Sequence, residues 1–205
     1  YLGIQTSASL VSWIMLVFLL LANVRLPLSN LLVLALPVAI LGVLSLITAP
    51  LEDGLHVATL TDPLIWHILI SIVAYSVLFM AACQSVLLAV VERRLKSKRT
   101  RLLHLLPPLQ TMETLLFDLL WAGIAVLTLA IGSGFVFLDD MFEQRVVHHT
   151  VLTLASWFLY AALLAGHHVL GWRGTTAVRW TLIAFGLLVL GYFGSKFVIE
   201  ILLES

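Results

Sequence analysis

Six long apolar runs, separated by short polar breaks, constrain this chain more than any single motif in it. They fall at about 5–23, 31–49, 65–91, 115–138, 149–170 and 180–202. A helix needs about 20 mostly apolar residues to cross the roughly 30 Å hydrocarbon core of a bilayer, and each run meets or nearly meets that length. The alternating ten-residue pattern of a transmembrane barrel strand does not occur. Of 205 residues, 61% are hydrophobic and 11% charged, so a water-soluble core could not hide the apolar surface. The fold expected is all-α: a polytopic transmembrane helical bundle, six spans in this chain, forming one domain over 1–205.

Charge excludes some functions and orients the chain. Eleven basic residues cancel eleven acidic ones, which argues against nucleic acid as a partner, and one cysteine rules out a disulfide framework. Arg93, Arg94, Lys96, Lys98, Arg99 and Arg101 crowd the loop after the third run, so the positive-inside rule makes loop 92–114 cytoplasmic. Alternating outward from there puts Arg25, Arg173 and Arg179 inside as well. Only Arg145 and Lys196 then face out, and loops 50–64 and 139–148 are periplasmic. The location expected is a bacterial inner (plasma) membrane. The chain opens on Tyr1 with no basic segment before its first run, so further N-terminal spans are expected rather than a signal peptide.

Ionisable groups inside a membrane are expensive and each asks for a reason. Seven histidines divide between the two faces. His56, His67, His148 and His149 fall at the outer face, and His104, His167 and His168 at the inner one. His67 is followed at i+4 and i+8 by Ser71 and Tyr75, so one helical face carries a polar stripe. His148 opens the fifth run at the same depth. Two imidazoles from two helices there could bind a haem iron axially or hold another metal. Histidines resting in the headgroup region account for the same spacing. His167 and His168 are 19 and 20 residues past His148, roughly 30 Å along a helix, and cannot join that pair. Adjacent histidines point about 100° apart, so at most one of each pair faces inward easily.

Other residues read more simply. Glu113, near the start of the fourth run, is expected to complement that helix's own dipole. Asp118 is deeper, within reach of the basic loop or a proton path. Cys83 is packing, and Trp66, Trp172 and Trp180 belong to interfacial belts. Glycines of Gly132-Ser-Gly134 and at Gly186, Gly191 and Gly194 offer faces for close helix contact. No nucleophile with a base, phosphate loop or zinc-binding helix is visible, so no enzyme is expected.

Several stretches in this order resemble the cytochrome c assembly family (CcsA- and HemX-like membrane proteins), most closely its YpjD-type branch. They begin at Leu10-Val-Ser-Trp13 and include Trp66-His-Ile-Leu-Ile-Ser-Ile-Val-Ala-Tyr-Ser76, Leu106-Pro-Pro-Leu-Gln-Thr-Met-Glu113 and Gly123-Ile-Ala-Val-Leu-Thr-Leu-Ala-Ile-Gly-Ser-Gly134. Trp157-Phe-Leu-Tyr160 and His168-Val-Leu-Gly-Trp-Arg-Gly174 complete the set. The resemblance implies haem handling, with His67 matching an external haem-ligating histidine and His168, or its neighbour His167, near an intramembrane one.

Two departures weaken that implication. The family's tryptophan-rich external motif is replaced by Phe135-Val-Phe-Leu-Asp-Asp-Met-Phe-Glu-Gln-Arg-Val-Val147, and a second external histidine by Tyr192-Phe-Gly-Ser-Lys196. Position alone nominates His148 as the substitute ligand. The expectation is therefore a non-enzymatic, haem-associated assembly or accessory protein, with His67 and His148 as the external haem-iron pair and His168 in an inner site. The partners expected are the lipid bilayer, haem and another membrane protein. The alternatives are a cofactor-free structural or regulatory subunit of a membrane complex, and a proton- or small-ion-coupled transporter component.

Overall fold

A computed structural model describes residues 63–97, 107–137 and 147–197, with three single positions at 13, 17 and 40. Its four helices are α1 (Pro63–Lys96), α2 (Leu109–Phe137), α3 (Val147–Leu170) and α4 (Gly174–Phe197). They correspond to the last four of the six expected runs, and all four are long and apolar enough to cross a membrane. The runs at 5–23 and 31–49 lie outside the described residues. Among the described residues there is no strand, in keeping with the all-α expectation. Even the 24-residue helices are about 36 Å long, more than the hydrocarbon core requires.

Helix boundaries follow local chemistry. Proline at the first position of α1 has no N–H to waste and a backbone angle already suited to a helix. Arg93, Arg94 and Lys96 occupy its last turn, where cations complement the helix dipole. α2 starts after Pro107 and Pro108, with Met112 N–H donating to the Pro108 carbonyl at 3.2 Å. Between α3 and α4 the chain reverses in three residues. Gly171 (φ 68°) and Gly174 (φ 55°) supply left-handed angles that side chains resist. That tight turn lets α4 begin six residues before the apolar run at 180.

Contacts between residues far apart in sequence show that consecutive helices run antiparallel. His67 meets Ser133 while Gln84 meets Met112, so α1 and α2 oppose each other. The pairs Thr128–Trp157 and Phe117–His167 do the same for α2 and α3, and Ser156 bonds Ala184 between α3 and α4. Phe79 packs on Phe185, 5.7 Å between ring centroids, bringing α1 beside α4 and closing the four-helix ring. Ala74, Leu78, Met80, Leu116, Leu120, Tyr160, Leu163 and Leu188 are buried along the axis. Gly123 lets α1 and α2 approach, since an added Cβ there would strike Leu78. Leu129, Phe158 and Val169 point outward with more than 60% exposure, an arrangement suited to lipid rather than water.

Candidate functional site

One end of the bundle holds a cavity of about 200 Å³ between α1, α2 and α3. α1 contributes His67, Ser71 and Tyr75, the stripe legible at i, i+4 and i+8. α2 contributes Leu127, Ala130 and Ile131, and α3 contributes His149, Thr150, Thr153 and Leu154. The site therefore combines two imidazoles and several hydroxyls with an apolar wall.

Hydrogen bonding orients the first imidazole. Ser133 Oγ donates its single proton to the Ala130 carbonyl at 2.9 Å. With its proton so placed, the hydroxyl accepts from His67 Nδ1–H, 2.8 Å away. With Nδ1 protonated, Nε2 of the neutral ring carries the lone pair. A neutral imidazole oriented through Nδ1–H with Nε2 open is the arrangement metal-ligating histidines adopt. Across the cavity, Tyr75 Oη lies 3.2 Å from His149 Nε2, tying α1 to the first turn of α3.

The sequence nominated His148 as partner to His67, and its side chain lies outside the described residues. His149 lines the cavity. A signal for it was present, because His149, Thr153, Ser156 and Tyr160 recur at helical spacing on one face of α3. Ser133 could not be read from the sequence as a partner of His67, 66 residues away.

At the opposite end of α3, the rings of His167 and His168 meet edge to face, 5.5 Å between centroids. The ring of His167 stacks on Phe117 with centroids 3.5 Å apart, and its Nδ1–H donates to the Trp172 carbonyl at 2.8 Å. His168 is exposed, with its ring 5.8 Å from Trp121. His149 and His167 are 18 residues apart, about 27 Å along the helix, so the two ends hold separate sites. Among the described residues no three histidine, cysteine, aspartate or glutamate side chains gather as a metal cluster.

Glu113 differs from its sequence reading. It sits in the second turn of α2, and its Oε1 accepts the Gly174 N–H at 2.8 Å. The carboxylate caps the start of α4, not its own helix. Glu92 also approaches Gly174 and bonds Lys96 Nζ at 2.7 Å.

The profile of the cytochrome c assembly protein family matches residues 1–203. An inner membrane protein of Escherichia coli strain K12, named YpjD, is 32% identical over 142 residues, covering 69% of this chain and 54% of that protein. A 28.8 kDa protein of Azospirillum brasilense is 42% identical over 147 residues, with coverage of 69% and 54%. The chain thus spans about half the length of the curated relatives it matches. No solved structure matches it.

Proposed function

This chain belongs to the cytochrome c assembly protein family, and from that premise we propose that it is a non-enzymatic, haem-associated accessory protein of the bacterial inner membrane. Haem is its cargo, met at the periplasmic end of the bundle, where His67 offers Nε2 to the iron. The observation that carries this reading is the 2.8 Å contact of His67 Nδ1 with Ser133 Oγ in the cavity wall, which orients the ring and leaves Nε2 for a ligand when Nδ1 bears the proton. His149, on the same cavity wall, is the second group of the site, and His148 beside it is tested in the same series. At the cytoplasmic end, His167 and the neighbouring His168 mark an inner station by the same donor chemistry.

The donor set fits haem iron, but the volume admits only part of the group. Drug-sized ligands occupy about 300–1,000 Å³, and a porphyrin is larger than most of them. A cavity of about 200 Å³ is smaller than the macrocycle and would admit one edge of it at most. The same shortfall favours a second reading, a cofactor-free structural or regulatory subunit of a membrane complex.

An absorption spectrum of the detergent-purified full-length protein, oxidised and reduced, separates the two. A Soret band with sharp reduced bands, lost in His67→Ala and weakened in His149→Ala or His148→Ala, supports haem association. A featureless spectrum after haem is supplied refutes it and leaves the subunit reading.

A further inference from the structure

Among the described residues, four buried polar atoms have no hydrogen-bond partner: Thr153 Oγ1 and Tyr160 Oη on α3, Thr181 Oγ1 on α4 and Glu92 Oε2 on α1. Tyr160 and Thr181 are fully buried, and Thr153 is 8% exposed. Other hydroxyls of the bundle are satisfied by their own helix. Ser76 and Thr128 donate to carbonyls four residues back, and Ser85 to the one three back. Buried polar groups rarely go without a partner, and where neither side chain nor backbone serves, bound water does.

The four atoms follow one line through the interior. Thr153 lines the cavity that holds His67 and His149. Ser156, three residues deeper along α3, donates to the Ala184 carbonyl and so sets the register of α3 against α4. Thr181 lies three residues from Ala184 on the cytoplasmic side, about 4.5 Å further in and level with Tyr160. The contact of Phe79 with Phe185 registers α4 against α1 and brings Thr181 to the level of Gln84 and Ser85. Glu92 ends the line, with Oε2 3.7 Å from where a Cβ on Gly174 would stand and the Glu113 carboxylate beside it. From Thr153 to Glu92 the line covers roughly 23 Å of the bundle axis. Hydroxyls both donate and accept, so water between them can pass a proton along by exchanging hydrogen bonds. The middle members, Ser156, Tyr160 and Thr181, are uncharged and suit protons on water better than a metal cation. We propose that this line binds a chain of water that carries protons between Glu92 at the cytoplasmic end and the cavity of His67 and His149. The assignment stands whether or not haem binds there.

Two measurements on the full-length protein test it. In radiolytic hydroxyl-radical footprinting, bound water labels adjacent side chains even where bulk solvent does not reach. Normalised to the unfolded chain, Tyr160 should be labelled well above Leu116 and Leu120, which are as fully buried on α2. In lipid vesicles loaded with a pH-sensitive dye, proton uptake driven by a potassium diffusion potential should exceed that of protein-free vesicles. Tyr160→Phe keeps the core volume and should slow this uptake about tenfold, the factor one lost hydrogen bond is worth. Thr181→Val, which also keeps its shape, should give a comparable loss. Any one of four results overturns the proposal: Tyr160 labelled no more than the two leucines, uptake no faster than in protein-free vesicles, uptake unchanged in both variants, or a higher melting temperature for Tyr160→Phe, the mark of a dry hydroxyl.

Discussion

Replacing Glu113 tests the closure of the bundle at the end where α1, α2 and α4 converge. Glu113 Oε1 accepts the Gly174 N–H at 2.8 Å, joining α2 to the first turn of α4. Hydrogen bonds to charged groups contribute about 1.5–3 kcal/mol in soluble proteins. Interhelical hydrogen bonds measured in a membrane protein average only about 0.6 kcal/mol, with a maximum near 1.7, because the unfolded chain in the membrane also finds partners. Two features place Glu113 at the upper end of that membrane range. Its charge lies at the positive end of the α4 dipole, which adds about 0.3–1 kcal/mol. Gly174 is also held at φ 55°, so its N–H cannot readily turn to another acceptor.

Glu113→Ala is therefore expected to cost about 1–2 kcal/mol, and Glu113→Gln, which keeps an acceptor, about 0.3–1 kcal/mol. For a chain of this size 1 kcal/mol corresponds to roughly 2–4 °C, so thermal unfolding in detergent resolves the pair. Glu92→Gln serves as the control. Glu92 lies near Gly174 without accepting its N–H, and neutralising it relieves repulsion with Glu113 at the loss of an exposed pair with Lys96. The ordering Glu113→Ala below Glu113→Gln below unsubstituted protein, with Glu92→Gln unchanged or higher, is the expected result. Equal melting temperatures for both Glu113 variants and the unsubstituted protein would refute the cross-helix cap.

Three further outcomes are expected. Ser133→Ala removes the acceptor that orients His67, and haem affinity measured by titration should fall about 10–100-fold, as for other groups supporting a ligating histidine; unchanged affinity would detach His67 from the iron. Gly166→Ala places a methyl against the Trp172 indole, which packs directly on that glycine, and should cost about 1–3 kcal/mol with an altered near-ultraviolet circular dichroism spectrum; an unchanged spectrum contradicts the packing. Gln84 donates from Nε2 to the Met112 carbonyl at 2.9 Å inside the bundle. Gln84→Leu should cost no more than about 1 kcal/mol, because an apolar side chain of similar volume replaces it, whereas Gln84→Ala leaves a cavity and should cost more. Equal losses would show that the hydrogen bond, not the volume, matters there.

Much of this protein follows from the sequence alone. Runs long enough to cross a bilayer specify helices, because in hydrocarbon each backbone group must find its partner within its own segment. The four described spans accordingly lie where apolar length put them. The stripe of His67, Ser71 and Tyr75 was legible too, since it depends only on the turn of one helix. What the sequence could not supply was the rotation of each helix about its axis. His148 and His149 differ by about 100°, and it is the packing of α3 beside α1 and α2 that turns His149 to the cavity. The same packing brings Ser133 to His67 and sends Glu113 to cap α4 rather than its own helix. A helix carries its span in its local composition, whereas its neighbours decide which of its faces looks inward.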